Sequence, residues 1–169
     1  MNTLIIVLRL IHIFSGMFWI GSTLLIDYFV IPSALTTAET SQKFIGYFIT
    51  KSPVGRAGSL SAFLTILAGA SLYWIDSQGF TSQWTTSSAG WGFGIGALLA
   101  IVGLFFAALH GRHLFLFAET ASQMVGRATP QELEKLQIAQ KRLRISGRLV
   151  TGLLLLALAC MATARYWRF

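Results

Sequence analysis

Four long apolar runs constrain this chain more than anything else in it. A helix of about 20 apolar residues is long enough to cross the hydrocarbon core of a bilayer. The runs are Leu4 to Val30, Leu60 to Ile75, Trp91 to Phe117 and Leu149 to Ala164. The second reaches full length once Val54 to Ser59 is included. Inside lipid every backbone N–H and C=O must be paired within the protein, which leaves the helix as the natural form for each run. The expected fold class is therefore all-α: an integral membrane four-helix bundle with amphipathic cytoplasmic helices. It forms a single domain over residues 1–169, with spans at about 4–30, 54–75, 91–117 and 146–166. Charge points the same way. Charged residues make up 11% of the chain and the mean hydropathy is +0.66, against about 25% charged residues in soluble domains.

The first run lacks the basic flank, short apolar core and small-residue cleavage site of a signal peptide, so it is expected to remain as a span. The single cysteine, Cys160, rules out a disulfide within the chain and a cysteine-only metal site.

The net charge of +7 suggests nucleic acid only until its distribution is read. Ten of the 13 Lys and Arg residues lie in or border the connections between spans one and two and between spans three and four. The loop from Asp76 to Gly90 has none, and the other side holds Arg9, Arg165 and Arg168. The positive-inside rule then places both basic loops in the cytoplasm and both termini on the extracytoplasmic face, as for a multi-pass protein of the bacterial cytoplasmic (inner) membrane. Basic residues there suit anionic lipid headgroups. The expected partner is the lipid bilayer, not nucleic acid.

Two connections carry helical signals of their own. In the first, Phe44, Tyr47 and Phe48 alternate with polar residues, as in a short helix lying at the interface, and Ser52-Pro53 reads as the start of span two. In the third, Thr129, Pro130 and Glu132 form a capping box. Leu133, Leu136, Ala139 and Leu143 then recur at helical spacing, in a helix expected to run into span four with a bend at Gly147.

Polar residues inside the spans supply the candidate sites. At about 100° per residue, Arg9, His12, Gly16, Trp19, Thr23 and Asp27 fall on one face of span one, opposite a face of Leu, Ile and Val that suits lipid. In span three, Gly96, Ala100, Gly103 and Ala107 form a small-residue stripe that lets helices approach closely. The stripe ends at His110, which should point into the bundle, with His113 about 60° further round. His12 and His110 lie at levels about 20 Å apart, by the rise of about 1.5 Å per residue, so they cannot sandwich one cofactor.

At the outer level His12 shares its depth with Cys160 and Met161, with Arg9 and Arg165 one turn further out. His/Met ligation is an established haem mode. His12 and Met161 are thus a candidate axial pair for haem b, Arg9 and Arg165 candidate propionate partners, and Trp19 a candidate wall, with Gly16, Gly94 and Gly96 leaving room for the macrocycle. The alternative is that His12 hydrogen-bonds a carbonyl or hydroxyl between helices. At the inner level His110, His113 and Asp27 share a depth and form a candidate metal site, two histidines at i, i+3 with a carboxylate being an acceptable ligand set. The alternative there is that Asp27 pairs with Arg112 or a histidine. No nucleophile–base arrangement or paired carboxylates occur, and "GWGFGIG" opens a membrane helix rather than following a strand, which discounts it as a nucleotide loop.

The stretches "HIFSGMFWIGSTLL" and "MATARYW" resemble several bacterial four- to five-helix membrane families. They include the HemJ-type protoporphyrinogen oxidases and the copper-resistance D-like proteins, and the nearest likeness is to a group of small four-helix membrane proteins of unassigned function. The resemblance rests on H-x6-W-x-G, here His12, Trp19 and Gly21, and implies haem b at His12. The HemJ-type family also uses a lysine early in its third helix. None stands around Gly94 to Gly96, so the resemblance carries haem binding rather than the oxidase activity. It also implies copper handling, to which His12, Met17, Cys160 and Met161 are suited by ligand softness. Three functions are then expected in order: a haem b protein in membrane electron transfer, exchanging with quinone or a redox partner protein; a cofactor-free accessory subunit of a larger membrane complex; and copper or small-solute handling.

Overall fold

The computed structural model describes residues 2–36, 39–123 and 130–168. Among them there is no strand. The chain runs α1 (Asn2–Leu25), a π-helical turn (Ile26–Val30), α2 (Ile31–Thr36), α3 (Glu39–Thr50), α4 (Val54–Asp76), a 3-10 turn (Gln83–Thr86), α5 (Ser88–Gln123) and α6 (Pro130–Thr163), closing with a 3-10 turn (Ala164–Tyr166). Four helical stretches are long and apolar enough to cross a membrane: Thr3–Ser33, Val54–Asp76, Ser88–Ala121 and Glu134–Tyr166. Their outward faces carry Phe14, Met17, Phe63, Leu98 and Phe105, all largely exposed. That surface suits hydrocarbon. The protein is an all-α helical bundle of the multi-pass membrane class.

The bundle is assembled from two tightly packed pairs, α1 with α4 and α5 with α6. The small-residue stripe explains the second pair. A Cβ on Gly92 would meet Ala164, one on Gly96 would meet Met161 and the Ala157 carbonyl, and one on Gly103 would meet Leu154. Removing side chains along this line of α5 brings α6 within backbone contact, where dispersion and packing rather than the hydrophobic effect hold helices together. The loop-one helix forms as α3. It packs on α5, burying Ile45 completely while Phe44 and Tyr47 stay exposed and Phe44 stacks on Phe48.

Two apolar cores result. One, mid-bundle, is built on Trp19, Ala62, Val150 and Leu154. The other, at the basic end, joins Ile31, Ile45, Phe117, Ala118, Leu136 and Leu143. At the opposite end α4 terminates in a turn with φ of 50° at Gln78, 70° at Gly79 and 67° at Phe80. Only the glycine adopts this conformation without strain. Phe80 is held in place by its ring, which packs edge-on against Trp74 and tilted against Tyr73.

Helix α6 continues without interruption through Gly147, where the sequence suggested a bend. The glycine serves a different purpose, described below. Of the expected capping box, Pro130 is the first residue of α6, and Thr129 and the Glu132 side chain lie outside the described residues.

Candidate functional site

Between the two apolar cores, three helices each contribute a polar side chain. Asp27 lies between Trp19 and Ile31 in the first span, His110 follows the small-residue stripe on α5, and Ser146 stands between Leu143 and Val150 on α6. The Nε2 atom of His110 lies 3.0 Å from Oδ1 of Asp27, and each side chain is 9% exposed. Nδ1 of His110 is 3.0 Å from Oγ of Ser146, and Nδ1 of His113 reaches the same oxygen at 3.2 Å. Ser146 also lies 3.0 Å from the carbonyls of Arg142 and Leu143.

Ser146 Oγ carries one proton and two lone pairs, so it can accept Nδ1–H from one histidine while donating to Nδ1 of the other or to its own helix. The Nε2 atom of His110 faces a carboxyl oxygen, and a proton on either atom completes the contact. The contact is poorly aligned: neither carboxyl oxygen of Asp27 has a hydrogen bond of good geometry, and both are buried. A buried, incompletely satisfied carboxyl is costly anywhere, and inside a membrane ionisable groups are kept for function.

Two local features make room for the pair. Asp27 lies on the π-helical turn Ile26–Val30, a widened turn that commonly marks functional positions. Opposite it, Gly147 offers no side chain. An ideal Cβ there would lie 2.5 Å from Oδ2 of Asp27 and 3.2 Å from Cε1 of His110.

Asp27, His110 and His113 thus gather around Ser146 at one depth, but not as a ligand shell. His113 reaches the serine rather than the carboxylate, and among the described residues no three His, Cys, Asp or Glu side chains form a group able to hold a metal. Of the two partners weighed for Asp27, the histidine is the one in contact.

The outer residues fall into different seams. His12 lies in the α1–α4 seam with Nδ1 2.8 Å from the Thr65 carbonyl and its ring against Gly69. Met161 lies in the α5–α6 seam against Gly96. The glycines expected to leave space for a macrocycle are occupied by protein: Gly16 faces Thr65, Gly94 the Tyr73 hydroxyl, and Gly96 Met161 and Ala157. Trp19 is buried in the mid-bundle core. Arg9 and Arg165 are exposed near the ends of the bundle. Met17, 70% exposed, turns away from the helices.

Sequence reasoning passed over Ser146 and Thr65. Ser146 had a signal: it occupies the inward line of α6, three residues after Leu143 and four before Val150, where an apolar side chain is the rule. Thr65 contributes to His12 through its backbone carbonyl, an interaction that residue type does not encode.

The chain matches no protein-family model, no curated protein and no solved structure.

Proposed function

We propose that this membrane protein binds and exchanges a proton at the Asp27–His110 pair, passing it toward the basic, cytoplasmic end through Ser146 and His113. The observation that carries the reading is the buried Asp27 carboxyl, 3.0 Å from an imidazole and without a well-aligned hydrogen bond. An imidazole gripped at both nitrogens is suited to relay: a proton taken at Nε2 is balanced by one released from Nδ1 to Oγ of Ser146, whose own proton passes to Nδ1 of His113 when that nitrogen is unprotonated. Asp, His and hydroxyl chains of this kind are the usual proton routes of membrane proteins. An infrared titration of the purified protein tests it. The wild-type minus Asp27→Asn difference should contain a pH-dependent protonated-carboxyl C=O band, the five other Asp and Glu side chains cancelling. A difference spectrum without such a band overturns the reading.

A second reading, haem b at His12 in membrane electron transfer, is favoured by one observation. The Thr65 carbonyl accepts from Nδ1 of His12, and a haem- or metal-bound histidine commonly donates its other N–H in this way. Nε2 is then the ligating atom. The seat would have to be made elsewhere than at Gly16, Gly94 and Gly96, and the sixth ligand found outside the α5–α6 seam. Protein grown with haem supplied should show a Soret band that His12→Ala abolishes. A colourless preparation leaves His12 as an interhelical hydrogen-bond donor.

A further inference from the structure

Where α5 and α6 emerge from the mid-bundle toward the basic end, a groove of about 290 Å³ opens between them. Its polar lining is His113 and Thr120 from α5 and Lys135 and Arg142 from α6, and among the described residues no acidic side chain lines it. Lys135 and Arg142 are seven residues apart, two helical turns, so they stand on one face of α6 about 10 Å apart along its axis. The walls are apolar, including Leu116 and Ile138. These two are 46% and 47% exposed, so the groove is open to the surroundings on the side where the apolar belt of the bundle gives way to charge.

We propose that this groove binds the headgroup of an anionic phospholipid. The volume is at the small end of ligand sites, which suits a phosphodiester with a short polyol rather than a larger molecule. Guanidinium offers a planar fork to phosphate oxygens and lysine a mobile point charge. Thr120 donates its proton to the Leu116 carbonyl and offers its oxygen as an acceptor to the polyol hydroxyls, and the Leu116 and Ile138 walls accept the first methylenes of the acyl chains. A basic pocket between membrane helices at the interface is the physical form such recognition takes. The groove also adjoins the buried cluster, because His113 spends Nδ1 on Ser146 and keeps Nε2 for the groove. The lipid site stands whether or not the Asp27–His110 pair exchanges protons.

The test is thermal unfolding of the full chain in neutral detergent, with phosphatidylglycerol, phosphatidylcholine or inorganic phosphate added. Phosphatidylglycerol at about a hundred times its dissociation constant should raise the midpoint by roughly 5–10 °C, while phosphatidylcholine and inorganic phosphate leave it nearly unchanged. The double variant Lys135→Gln/Arg142→Gln should lose at least half of that rise. Both side chains are exposed, so the variant keeps the fold. Arg148→Gln, another exposed basic position on α6, should keep the full rise. Equal stabilisation by phosphatidylcholine, an undiminished rise in the double variant, or an equal loss in Arg148→Gln would each overturn the groove as an anionic-lipid site. A matching shift with inorganic phosphate would make it a free-anion site instead.

Discussion

Replacing His110 by Ala is expected to destabilise the protein by about 3–5 kcal/mol, the cost of removing one member of a buried pair and leaving the other uncompensated. The loss should be this large because Asp27 has nowhere else to turn. Its two oxygens are buried and lack aligned hydrogen bonds, and the cluster lies between one apolar core built on Trp19 and Val150 and another built on Phe117 and Leu143. A double-mutant cycle separates the pair from mere loss of packing. Asp27→Ala combined with His110→Ala should recover part of the stability lost by His110→Ala alone, since removing both partners of a buried pair removes the uncompensated group as well. Reversible unfolding in mixed detergent micelles gives the four free energies. A cost below about 1 kcal/mol for His110→Ala, the size of an exposed pair, would mean that Asp27 is solvated and that the cluster is not a buried centre.

The contrast between what was legible in the sequence and what was not runs along this same cluster. Hydropathy marks three of the four spans to within four residues, because the bilayer thickness dictates helix length, while the fourth helical stretch starts twelve residues earlier, at Glu134, where the amphipathic helix runs into the span. Helical periodicity places His12, Gly16, Trp19, Thr23 and Asp27 on the inward face of span one, and the small-residue stripe correctly directs His110 into the bundle, where it is 7% exposed. Depth alone brings Asp27 and both histidines to one level. Pairing of helices is another matter. Four apolar spans of similar composition can be arranged around one another in several ways, and the choice of α1 with α4 and α5 with α6 sends His12 and Met161 into different seams. Nothing in the type or spacing of those two residues records that. The π-helical turn at Ile26–Val30 is equally silent in the sequence, yet it sits where Asp27 meets α5 and α6.

Gly147 is where the packing of the cluster is most exposed to a single methyl group, and Gly147→Ala is expected to cost about 1–3 kcal/mol, the range for overfilling a packed interior. Alanine favours a helix over glycine by about 1 kcal/mol, so intrinsic propensity pulls in the opposite direction and must be outweighed. The geometry says that it is. The new Cβ would lie 3.0 Å from Cγ of Asp27 as well as 2.5 Å from its Oδ2, and a short aspartate cannot withdraw its carboxyl without leaving His110. The substitution should therefore erase the pH-dependent carboxyl band along with the stability, although it replaces neither ionisable residue. Gly152→Ala is the control. It lies five residues further along the same helix with nothing within 4 Å of its Cβ, so it should be neutral or slightly stabilising and leave the band in place. If both alanines behave alike, the close approach of Asp27 to α6 is not what positions the pair. If only Gly147→Ala destabilises and silences the titration, the glycine is the cradle that lets a carboxyl, an imidazole and a serine meet inside the membrane.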